Sequence, residues 1–180
     1  MKNFKTIQKV EITERQWEKA ENFARKVIET VNYTDSRQTN KNKIMWDHFV
    51  SKIGEEAVKT VFEKMGLQVK GPDYAVYEGR NKNWDDDLFI DDVPLAVKTQ
   101  TANSARKFGL SWTFQCGARR SDPILKNLLS WVCFVAFDEA EKCCSVYPPL
   151  QIKDLPLKDP VLKKLIGEKK VVYADDLKIL

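Results

Sequence analysis

Apolar positions in the first third of the chain recur at helical spacing. Thr13-Glu14-Arg15-Gln16 forms a capping-box-like start, and Trp17, Ala20, Phe23, Ala24, Val27 and Ile28 then share one face to about Val31. Asn32 to Lys43 is polar, carries Arg37, Lys41 and Lys43, and reads as a loop or mobile basic arm. A second helix is predicted from about Ile44 or Asp47 to Met65, with Gly66 in the C-terminal capping role. The pattern then changes to that of strands: Leu67 to Lys70, Tyr74 to Tyr77, and, after a polar turn at Glu78 to Asn83, the pair Asp87 to Ile90 and Val93 to Thr99 around Asp91-Asp92. Leu110 to Cys116 alternates as a further strand. Trp131 to Phe137 is apolar almost throughout, as a central strand covered on both faces must be. Cys144 to Tyr147 pairs beside it, Val161 to Ile166 forms a small helix, and Val171 to Tyr173 a last strand. The order predicts one α/β domain, a mixed sheet with a meander core flanked by helices. It divides into an N-terminal helix and basic arm (1–46), a core (47–150) and C-terminal elements (151–180).

Composition narrows the chemistry. The 180 residues are 43% hydrophobic and 31% charged, enough for a real core, and no apolar run approaches the roughly 18 to 20 residues that span a bilayer. The start, Met1-Lys2-Asn3-Phe4-Lys5, lacks the apolar stretch of a secretory signal, so the expected location is intracellular, in a bacterial cytoplasm or from a phage gene. The four cysteines match no zinc spacing and are expected to be packing thiols. His48 is the single imidazole, which excludes two-histidine schemes, and no nucleophile elbow supports a triad. A net charge of +4 is compatible with a polyanionic partner without requiring one.

What remains is carboxylate and lysine chemistry, and it concentrates in Asp87 to Gln100. Strand alternation puts Ala96, Lys98 and Gln100 on one face and Leu95, Val97 and Thr99 on the other. Asp87 lies near the end of the partner strand, so an aspartate and a lysine can converge at the open end of a twisted sheet. Phosphodiester hydrolysis needs such a site: carboxylates for a hard divalent cation, and a cation to orient water. On the preceding helix, Glu55, Val58, Phe62 and Met65 share one stripe, whereas Glu56 shares its side with Lys59, Thr60 and Glu63. Glu55 therefore faces the protein, as a site carboxylate or in a salt bridge to a basic neighbour. Asp85 and Asp86 are alternatives to Asp87.

This hairpin resembles the PD-(D/E)XK nuclease family, in which an Asp begins one strand and an acidic residue, any residue and Lys follow in the next. Asp87 and Val97-Lys98-Thr99-Gln100 fit that pattern, and Gly54-Glu55-Glu56-Ala57 looks like the family's upstream Glu-bearing helix. The resemblance spans about Gly54 to Pro149 and implies a restriction-endonuclease-like fold with Asp87, Lys98, Glu55 and Gln100 as catalytic positions and Mg²⁺ as cofactor. The family's acidic position, which would be a third metal ligand, is Ala96 here. Three explanations are open: the acid is relocated, the nuclease is dead, or an acid has been exchanged for alanine to disarm the site. The last is preferred, because it leaves Asp87, Lys98 and Glu55 with a use.

The implied partner is double-stranded DNA, contacted at its phosphates by Arg106, Lys107, Arg119, Arg120, Lys41 and Lys43. Trp112 and Phe114 are base-stacking or core residues, and Asn103, Arg106 and Gln115 have the chemistry of base readers. The leading expectation is a Mg²⁺-dependent endonuclease; a non-catalytic DNA-binding protein with the nuclease fold, and a junction-resolving nuclease, are the alternatives. Cutting both strands from one site per chain implies a homodimer, for which the Thr13 to Val31 helix is the candidate interface.

Overall fold

The computed structural model describes residues 3–30, 39–77, 87–118 and 120–178. Strand β1 (Gln8–Glu11) precedes helix α1 (Glu14–Thr30), which opens with the reciprocal cap that the sequence predicts. Thr13 N donates to Gln16 Oε1 at 3.0 Å while Gln16 N donates to Thr13 Oγ1 at 3.3 Å. Helix α2 (Lys41–Lys64) starts earlier than its apolar pattern does, so Lys41 and Lys43 stand in its first turn rather than on an arm. Basic residues there oppose the helix dipole, and this hides the start in the sequence. Asn40 makes up for it by accepting from Lys43 N at 3.1 Å, and Lys43 pairs with Asp47 at 2.9 Å. Gly66, at φ +78°, takes the left-handed position that ends the helix.

Strands β2 (Val69–Lys70), β3 (Leu88–Ile90), β4 (Val93–Thr101), β6 (Trp131–Asp138), β7 (Cys143–Val146) and β8 (Leu150–Gln151) join β1 in a mixed sheet of order β1-β7-β6-β4-β3-β2, with β8 on β6. Asp91 and Asp92 both have positive φ, 46° and 65°, giving the tight β3–β4 hairpin expected of the dipeptide. Tyr74 to Tyr77 forms no strand, and the stretch expected to be a small C-terminal helix contains only a 3₁₀ turn, Lys163–Leu165.

The meander expected after the hairpin does not form. Helix α3 (Ala102–Phe108) follows β4, capped by Thr101 Oγ1, which accepts from Ser104 N at 3.2 Å. It serves as a crossover, and β6 returns parallel to β4 with Leu95 opposite Trp131 and Thr101 opposite Phe137. Strand β5 (Ser111–Gln115), which a meander would place beside β4 in the same sheet, instead pairs with β9 (Lys169–Tyr173) in a second, two-stranded layer.

Two cores result, one on each face of the sheet. Phe49, Ile53, Val58 and Phe62 of α2 pack on Leu95, Cys133, Val135 and Phe137, and α1 adds Ala20 and Ala24 from outside. On the opposite face Trp112, Phe114 and Val172 pack on Val132 and Phe134, and Trp112 Nε1 donates to Val135 O at 2.9 Å. The unbroken apolar run of β6 follows directly, since its two sets of alternate side chains enter different cores. Trp112 and Phe114 are therefore core residues and are not available to stack bases. The apolar face of α1, considered as a dimer surface, is spent on α2, with Trp17 reaching Phe49 at 4.8 Å between ring centroids. All four cysteines are free thiols, and among the described residues no helix is long and apolar enough to cross a membrane.

Candidate active site

Strand β3 pairs with β4 only as far as Leu88 opposite Leu95. Asp87, one residue further out, turns its side chain across the opening, where Oδ2 accepts from Val97 N at 2.6 Å. The carboxylate thus closes the splayed end of the hairpin, next to the backbone of positions 96 to 98. From above, α2 approaches β4 at Gly54, where a Cβ would lie 1.8 Å from Thr99 Oγ1. Only glycine permits that approach, and it sets the next residue, Glu55, against the sheet. The Thr99 hydroxyl is buried in the same contact without a hydrogen-bond partner.

Glu55 is 3% exposed. Burial is the main force raising its pKa, the negative charge of Asp87 adds to it, and the Lys52 ammonium, 2.6 Å from Oε2, opposes both; the net effect lifts the carboxyl from the usual 4.5 to about 8. The two carboxylates singled out in the sequence therefore sense each other, and Glu55 also has the basic partner foreseen as its alternative role. Glu56 departs from expectation. It is as buried as its neighbour, because α1 covers that side of α2: Tyr74 Oη donates to it at 2.8 Å and Lys19 Nζ lies at 3.4 Å. Spacing along α2 alone leaves that side open to solvent, and α1, a neighbour in space, closes it with Gln16 and Lys19.

Ala96, Lys98 and Gln100 face the second layer, as strand alternation predicts. The Ala96 methyl packs against the second core. Lys98 Nζ lies 4.6 Å from the centre of the Phe114 ring and 2.8 Å from Asp122 Oδ2, an acid the sequence did not flag. Asp122 belongs to a polar turn before Pro123, and no local signal connects it to a lysine 24 residues away. Gln100 ties β4 to the turn before β5, accepting from Ser111 N at 2.7 Å and donating to Gly109 O at 3.2 Å. Among the described residues, no group of three or more His, Cys, Asp or Glu side chains is placed to hold a metal ion.

The basic residues are spread over several elements. Arg106 and Lys107 are exposed on α3, where Arg106 donates to Asn103 Oδ1; Lys41 and Lys43 are exposed at the start of α2; Arg120 is exposed in the turn after β5. Arg119, Arg37, Asp85 and Asp86 lie outside the described residues. Lys169, which the sequence reading passed over, opens β9. Its pKa is lowered first by burial, then by the positive charges of Arg120 and Lys98, and also by Lys43, with Asp122 acting the other way. His48 is half-buried beside Phe23.

Compared with known proteins, the chain matches no family model, no curated protein and no solved structure.

Proposed function

We propose that this protein is a DNA endonuclease of the PD-(D/E)XK type on a restriction-endonuclease-like fold, with Mg²⁺ as cofactor and with one acidic position of its site filled by Ala96. The observation that carries the reading is Asp87 across the splayed end of β3–β4 with Glu55 pressed toward it from α2. Two oxygen donors there suit a hard divalent cation, and position 96, next along β4 from Leu95, would add a carboxylate beside Asp87 from the strand face it shares with Lys98. Asp87 and Glu55 are the residues that would hold the ion, which supplies Lewis-acid activation of the phosphodiester. Lys98, two residues along the same strand face as position 96, would orient the attacking water and offset developing charge.

Ala96 and the hydrogen bond from Lys52 that occupies Glu55 favour a second reading, a DNA-binding protein that does not cut. Cleavage of branched but not linear DNA would identify a junction-resolving enzyme, and cutting of both strands would call for a homodimer. Calorimetric titration with Mn²⁺ separates the first two readings. The endonuclease reading predicts that Ala96→Glu binds Mn²⁺ and that adding Asp87→Asn abolishes binding; absence of binding by Ala96→Glu favours the non-catalytic reading.

A further inference from the structure

Strand β1 ends the main sheet, and among the described residues β7 is its one strand neighbour. Ile12 N donates to Lys142 O at 2.9 Å, and antiparallel bonding alternates along a ladder, so Val10 and Gln8 turn their backbone groups inward to Cys144 and Val146. The backbone N–H and C=O groups of Lys9 and Glu11 therefore point out of the sheet. Both residues are exposed, and they line a groove with Cys143 and Ser145. Neither side chain has an ion-pair partner among the described residues. The opposite end of the sheet offers less: β2 is two residues long, and its Lys70 is already paired with Asp92 at 2.6 Å.

An open edge recruits another strand unless charges guard it. Here the guard is selective. Two copies related by a twofold axis through the edge pair antiparallel, and the ladder closes only where outward-facing residues stand opposite each other. Lys9 opposite Lys9, or Glu11 opposite Glu11, sets like charges face to face, which is destabilising. The alignment between those two puts Lys9 opposite Glu11 on both sides of the axis and Val10 opposite Val10 on it. Each Lys9–Glu11 pair then exchanges both N–H···O bonds.

We propose that β1 is a surface for a second copy of this chain, the two sheets joining edge to edge with Lys9 of each copy opposite Glu11 of the other. The pairing uses no residue of the proposed nuclease site and does not depend on that reading. A four-residue edge is a small interface, so monomer and dimer exchange with concentration.

The test is sedimentation velocity of the full chain over a concentration series, beside Lys9→Glu and Glu11→Lys. The unaltered protein is expected to move from 20.8 kDa toward twice that mass as concentration rises. Each variant alone sets like charges opposite and should stay monomeric. An equimolar mixture of the two variants should regain the dimer, because one copy then brings two acids and the other two bases. Amide hydrogen exchange at Lys9 and Glu11 should slow as the dimer forms. Both positions are exposed, so unchanged melting temperatures are expected; should either variant fail to fold, the chain carrying both changes, which restores the pairs with signs exchanged, should dimerise like the unaltered protein. A monomer at every concentration, a variant that dimerises alone as well as the unaltered protein does, or no gain on mixing overturns the inference. A dimer in which the Lys9 and Glu11 amides exchange as fast as in the monomer overturns it too, since the contact then lies on another face.

Discussion

Glu55 makes the stability of this protein fall as pH rises through the neutral range. Burial and Asp87 hold its carboxyl protonated up to about pH 8, against a usual value of 4.5. Below pH 4.5 folded and unfolded chains both carry the proton. Between the two values the folded chain keeps a proton that the unfolded chain has released, so stability declines by about 1.4 kcal/mol per pH unit. From pH 5 to pH 8 the loss is on the order of 4 kcal/mol, a large part of the roughly 5 to 15 kcal/mol that stabilises a typical domain. Above pH 8 this contribution levels off. Glu55→Gln places a neutral group of the same shape against Lys52, and its carbonyl accepts from the ammonium as the protonated acid does. Other titrating groups are common to both proteins, so the difference between their urea unfolding free energies isolates Glu55. That difference should shift toward the variant by on the order of 4 kcal/mol between pH 5 and pH 8. Parallel pH profiles would refute the claim that Glu55 is buried against Asp87 as a proton-holding group.

Gly54→Ala should destabilise the protein by about 1 to 3 kcal/mol by urea denaturation, because the added methyl overlaps Thr99, outweighing the gain of roughly 1 kcal/mol in helix propensity. Adding Thr99→Ala should recover most of that loss, and additive effects of the two changes would rule out the close approach. Under a thiol reagent at neutral pH, partly exposed Cys116 and Cys143 should react in the native protein, while Cys133 and Cys144, whose thiols burial holds protonated, should react only in urea. Peptide mapping after labelling reads this out, and fast native labelling of Cys133 would contradict its place between the helices and β7.

What could be read from the chain depended on how local each signal was. Thr13 with Gln16, Gly66 after Met65, and Asp91-Asp92 between two apolar runs all act over a few residues, and each produces the predicted cap or turn. The apolar run of β6 announced a strand buried on both sides. Its partners were not legible, since pairing β4 with β6 rather than β5 depends on α3, whose start is marked only by Thr101 and whose length is seven residues. The site divides along the same line. Glu55 could be separated from the solvent by helical spacing, and Asp87 could be placed at a strand end by the hairpin. Asp122 and Lys169 reach Lys98 only through the second layer, formed by residues 111 to 115 pairing with 169 to 173. Glu56 was misjudged for a related reason: its burial comes from α1, a neighbour in space and not along α2.

Cleavage of supercoiled plasmid by the unaltered chain and by Ala96→Glu, each in Mg²⁺ and in EDTA, bears most directly on the proposed site. The account predicts Mg²⁺-dependent cutting by Ala96→Glu, lost on adding Asp87→Asn or Lys98→Ala, and far slower cutting by the unaltered chain. Equal rates for the unaltered chain and Ala96→Glu, or DNA binding by both with cutting by neither, would contradict it.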